Sequence, residues 1–231
     1  MLRTGLQRLR TAPWFSALCA GLLALISFPG TASALTPDPA SNFPEQIATV
    51  CAAAPQSVQC TQAGIAELDE ARASDGQDPY RLPPNFLQLS GAHQIVVLTN
   101  LDRQANGLRA VPGTTAALDR TALEGAQDGT DPVVKNPQIS WAANWAGGFP
   151  SAVWAYLTWM YDDGYGGPNI DCTSLGDPGC WGHRHDILAQ FPPGGTLEMG
   201  AADLDDGSYA MIIAEGAPQA QIHYDYRSPT L

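Results

Sequence analysis

The chain has 231 residues, 45% of them hydrophobic and 15% charged, with 23 acidic against 11 basic side chains and a formal charge of −12. A surface this acidic repels nucleic-acid phosphates and anionic lipid headgroups, which removes those partners from consideration. The length suits one domain with a core of its own plus an extension.

The first segment reads as a targeting signal. MLRTGLQRLR holds Arg3, Arg8 and Arg10 and no acid, an apolar stretch runs from Ala12 to Phe28, and Ala32-Ser33-Ala34 closes it with small residues. This pattern predicts a secretory signal peptide over 1–34, a secreted, extracellular product and no stable membrane span after cleavage. Cleavage after Ala34 takes three arginines and no acid, so the remainder is more acidic still. It also takes Cys19 and leaves Cys51, Cys60, Cys172 and Cys180. Four cysteines in an exported chain suggest disulfides, with three possible pairings. The pairing Cys51–Cys60 and Cys172–Cys180 closes the shortest loops and is the favoured one. No C-x-x-C knuckle points to a zinc cluster.

Residues 35–46 are proline-rich, and 47–74 fit one or two short helices pinned by Cys51–Cys60. QDPYRLPPNF (77–86) is a stiff lead-in, so 35–89 is expected to be an N-terminal extension. In SGAHQIVVLTNLDRQANGL the apolar spacing predicts a helix from an Ser90 cap to a stop at Gly107. Thr115 to Gln127 fits a second helix, ended by Asp128-Gly129. Ser151 to Asp162 fits a third, followed by a loop with Gly164, Gly166, Gly167 and Pro168. Cys172 and Cys180 would staple that loop before a short helix around 184–190. GTLEMGAAD, SYAMIIAE and QAQIHYDYR read as three strands, punctuated by Gly207 and Gly216-Ala217-Pro218. Helices first and hairpin-connected strands last predict an α+β or layered α/β/α fold.

GCWGHRHDIL (179–188) concentrates the chemistry. His183, His185 and Asp186 offer metal-ligand types, but a catalytic metal needs further ligands, and His93 and His223 sit in no metal motif. On a helix, His183 and His185 would also point apart. The acids Asp162, Asp163 and Asp171 with Asn169, and the run Asp203, Asp205, Asp206, have the oxygen donors calcium uses. Neither has EF-hand spacing, and both read first as solvated turns. No G-x-S-x-G elbow is present. Trp141, Trp145, Trp154 and Trp159 are core material or the lining of a groove.

NLDRQANGL (100–108) resembles the N-x-x-R-x-x-x-G-L first-helix signature of the CAP superfamily, the cysteine-rich secretory, antigen 5 and pathogenesis-related class 1 proteins. Leu118 to Ala126 is similar to its second helix, and AANWAGG (142–148) stands where that family has G-E-N-x-A. WM (159–160) followed by GHRHDIL (182–188) resembles the bacterial SCP-like pattern W-M…G-H-R-x-x-I-L. The resemblance covers about 90–226 and places the domain at 90–231. It implies a three-layer α/β/α sandwich with a mainly antiparallel sheet, a secreted location and a cleft where two histidines and two acids can hold a divalent metal. His183 matches the G-H histidine and Asn144 the asparagine of G-E-N, whereas Ala143 stands in the glutamate's place. The second histidine has no match in AQDGTDP, Asp162 or Asp163 stands for the acid after the third helix, and residues 161–180 are an insertion.

The expectation is therefore a degenerate cleft around His183, Asn144, Asp162, Asp163 and Arg184, with Arg184 anchored to a carbonyl or carboxylate and His185 at the surface. It has no resident cofactor, a divalent metal being the only one implied, and it binds a lipid, a cell-wall fragment or a protein without turnover. Two other expectations stand beside it. One is a metal-assisted hydrolase using His183, His185 or Asp186 with Asp162 or Asp163. The other is a calcium-stabilised exoprotein using the acids at 203–206.

Overall fold

The structure is a computed structural model described over residues 37–215 and 221–226; the leader expected at 1–34 lies outside the described residues. The N-terminal stretch forms α1 (Thr49–Ala53) and α2 (Val58–Ser74), joined by the Cys51–Cys60 disulfide. Ser57 starts α2 by accepting the Cys60 N–H at 3.2 Å through its side chain. A single 3-10 turn at Phe86–Gln88 follows. Ser90 then caps α3 (Gly91–Ala105), accepting from His93 N–H at 3.2 Å, and Gly107 at φ 71° ends it. After the short strand β1 (Gly113–Thr115), Thr115 caps α4 (Ala116–Asp128), and left-handed Gly129 closes it.

Strand β2 (Ser140–Ala146) leads to α5 (Ala152–Tyr161), and the 162–181 loop, closed by Cys172–Cys180, leads to α6 (Gly182–Ile187). Strands β3 (Leu197–Asp203), β4 (Tyr209–Glu215) and β5 (Ile222–Asp225) complete the chain order. The five strands form one sheet in the order β2-β4-β3-β1-β5, antiparallel throughout except for β1 beside β3. The fold is α+β with a mainly antiparallel sheet.

The alternation of β3 and β4 sends side chains to two helical layers. Met199, Ala201, Tyr209, Met211 and Ile213 pack with Ile95 and Leu98 of α3, Trp154 and Leu157 of α5, and Leu68 of α2. Ala202, Ala210, Ile212 and Ala214 pack with Leu118, Ala122 and Ala126 of α4. On that second side α4 crosses so close to β3 that a Cβ on Gly200 would lie 2.1 Å from the Leu118 carbonyl, so only glycine fits there.

Several expectations shift. Strands β1 and β2 were not foreseen. β1 has only three residues, and SWAANWA is built from small residues whose alternation is faint. The helix expected at 184–190 starts two residues earlier, because the Asp163 carboxylate accepts the His183 N–H at 2.9 Å and Trp181 takes a left-handed φ of 61° ahead of it. In the segment expected as an extension, α2 is 17 residues long, and Leu68, Ala71, Phe86 and Leu89 enter the same core as α3 and α5.

Candidate functional site

Two residues of the NLDRQANGL stretch hold the frame around the site. Arg103 is buried and donates to Arg109 O, Ile187 O and Ala189 O, each at 2.9 Å, tying α3 to the end of α6. Asn100 accepts the Val111 N–H at 2.6 Å and donates to Val96 O. From the other side, Arg184 is fully buried and donates to Met160 O at 2.8 Å and to the Asp75 carboxylate at 3.1 Å, so α6 is fixed against the ends of α5 and α2. Asn144 on β2 is also fully buried and donates to His183 O at 2.9 Å, while its Oδ1 has no partner among the described residues. Arg184 and Asn144 thus position His183 and are not among the residues that line its cleft.

His183 is held most tightly by Asp163. One carboxylate oxygen lies 2.6 Å from His183 Nδ1, and the other accepts the backbone N–H groups of His183 at 2.9 Å and Arg184 at 3.5 Å. Asp163 is wholly buried, whereas the imidazole keeps 18% of its surface exposed. Nδ1 is taken, so Nε2 is the ring nitrogen left for a ligand. Burial works against charge on the imidazole, but the Asp163 hydrogen bond and charge, with Asp131 and Asp186 adding, outweigh it and raise its pKa above the usual 6.5.

His183 lines a cleft of about 530 Å³. Trp145, Phe149 and Trp159 form apolar walls, and Trp159 Nε1 donates to Trp145 O at 3.2 Å, which locks the two indole-bearing elements together. The inserted loop supplies the far side. Asn169 donates to Asp163 O and Gly179 O at 3.0 and 2.9 Å, and its neighbour Ile170 stands 83% exposed at the lip. Thr130 and Asp131, just past α4, close the remaining edge.

The other foreseen residues part company. Asp162 turns from the cleft towards Glu45; burial and then the Glu45 charge push its carboxyl up to about 7. Asp186 has no hydrogen bond to His183, and burial with nearby Asp131 and Asp163 raises it to about 7 as well. His185 pairs with Asp38 at 2.7 Å at the surface, His223 with Asp119 at 2.9 Å, and His93 stacks on Tyr224 with centroids 3.8 Å apart. Trp154 is core and Trp141 is 38% exposed. Asp203 caps α3 by accepting the Ala92 N–H, and Asp206 accepts the Ser208 N–H in the β3–β4 turn.

The divalent metal implied by the resemblance does not fit this donor set. His183 Nε2 would be one ligand, but among the described residues no group of three or more His, Cys, Asp or Glu is arranged to hold an ion. Asp131, Phe149 and Ile170 were not foreseen as site residues. The signal for Asp131 was Gly129: a helix stop there puts Asp131 at the mouth of the following loop. No family model, no curated protein and no solved structure matches the chain.

Proposed function

We propose that the chain is a secreted CAP-like domain that uses this cleft to bind a lipid or a cell-wall fragment, without turning it over. One observation carries the reading: three aromatic walls and an exposed isoleucine line the same cleft as His183, which a buried aspartate orients. Apolar walls with a few convergent polar groups are what small-molecule sites share. Thr130 and Thr158 bring hydroxyls to the cleft lining, and that of Thr158 already bonds Trp154 O and Glu45. Two disulfides are formed, and among the described residues no helix is long and apolar enough to cross a membrane; both fit an exported protein.

The test is a tryptophan-fluorescence titration with long-chain fatty acids and with soluble peptidoglycan fragments, in the intact protein and in Trp145→Ala. Saturable quenching by one of the two, lost in the variant, is the expected result. No saturable response to either removes the proposal. The Asp163–His183 pair also favours a second reading, hydrolysis with His183 as general base towards water. Release of product from the same compounds, abolished in His183→Ala and indifferent to chelator, would replace binding by turnover without a metal.

A further inference from the structure

A second cavity, about 190 Å³, shares no residue with the cleft. It lies where three helices begin, lined by Val58 of α2, by Ser90 and Gly91 at the start of α3, and by Ser151 and Ala152 at the start of α5. The first N–H groups of any helix lack intrahelical acceptors and carry its partial positive charge. At α2 and α3 these groups are served from within the protein, by Ser57, and by Ser90 with the Asp203 carboxylate.

At α5 they are not. Ser151 occupies the cap position in extended conformation, yet its side chain makes no capping bond. Trp154 and Ala155 N–H reach Ser151 O at 3.1 and 3.3 Å, and the N–H groups of Ala152 and Val153 have no acceptor among the described residues. Ser151 is 97% buried, because only 3% of its surface is exposed, and its hydroxyl has no partner among the described residues. A buried hydroxyl without a partner costs free energy, and Ser151 lines the cavity together with Ala152.

We infer that this cavity is a binding site for a small monocarboxylate, its two oxygens taking the Ser151 hydroxyl and the N–H groups of Ala152 and Val153. The Asp203 carboxylate lines the same cavity. Its charge is partly answered by the start of α3, where it accepts the Ala92 N–H at 3.0 Å. A dianion such as phosphate would meet that repulsion twice over, whereas a single negative charge is matched to one helix end. Leu87, Leu89 and Val58 form an apolar side that suits a short aliphatic tail. The ligand class is a short-chain carboxylate of a few carbons, because the volume admits little more.

The experiment is an amide NMR titration of the intact protein with butyrate, butyramide and inorganic phosphate. Butyrate is expected to shift the Ala152 and Val153 amides saturably in the millimolar range, with butyramide and phosphate at least about fivefold weaker. Ser151→Ala removes a hydroxyl that has no partner, so the fold is kept and butyrate affinity falls about five- to tenfold. Asp203→Asn preserves the cap on α3 and tightens butyrate. No saturable shift at 152–153, equal binding of butyramide or phosphate, or unchanged affinity in Ser151→Ala would each overturn the assignment. Because the cleft is untouched by these changes, the outcome is independent of the function proposed above.

Discussion

Two buried aspartates in this protein have opposite uses. Asp102 on α3 is fully enclosed and saturated. Arg72 from α2 binds one oxygen, and the hydroxyls of Tyr80 and Tyr156 bind the other at 2.5 and 2.7 Å. Arg72 in turn lies 4.1 Å over the Tyr80 ring. Asp102, Arg72 and Tyr156 are buried, and the bonds of the hub join α2, α3 and α5 to the segment that carries Tyr80. Asp163 is equally buried, but its partner His183 reaches the cleft. A buried charge joins elements when its partners end in the core, and it sets up chemistry when one of them has a second side facing outward.

The comparison can be broken at three points. Asp102→Ala should have the largest effect, because it leaves the Arg72 guanidinium inside without a counter-charge. A loss of about 3–5 kcal/mol is expected in urea unfolding. A loss under about 1 kcal/mol would mean that the hub is not the joint described here. Asp163→Asn should cost less, about 1–2 kcal/mol, because the amide keeps one acceptor for the α6 backbone. It should also weaken the cleft ligand about tenfold, measured by the same fluorescence titration. If its stability loss equals that of Asp102→Ala with binding intact, Asp163 is a second hub.

The smallest effect is in the pH profile of stability. The folded-state pKa of His183 is raised, so its contribution is fully present below the unfolded value near 6.5 and is lost as pH rises through the folded one. As pH rises from 6 through the folded-state pKa, the intact protein should lose stability that His183→Gln does not lose. Parallel profiles for the two proteins would show that the Asp163 contact does not favour the charged imidazole.

Helix boundaries were legible in the sequence because they are set locally. Ser90 and Thr115 cap, and Gly107 and Gly129 stop, by bonds within four or five residues. Strands β3 and β4 were legible from the glycine turns that punctuate them, and β2 was not, because Ala142, Ala143 and Ala146 give little contrast between its faces. His183 stood out, but its partner did not. Asp162 and Asp163 are equivalent in sequence, and the choice between them is made across twenty residues by how α6 docks on α5. Asp131 was passed over because its role comes only from the proximity of the α4 end to α6.

Strand β1 lies between β3 and β5, although it precedes both by a long stretch of chain. As the polypeptide emerges during synthesis, Gly113–Thr115 must wait unpaired until Met199 and then Tyr224 appear. The two disulfides span only nine and eight residues, so either can close early from its own short segment. Oxidation can thus finish in both short segments while the sheet is still open. A nascent chain halted before residue 222 would carry two correct disulfides and an unfinished sheet edge, a state that thiol chemistry alone would score as native and that a protease would not.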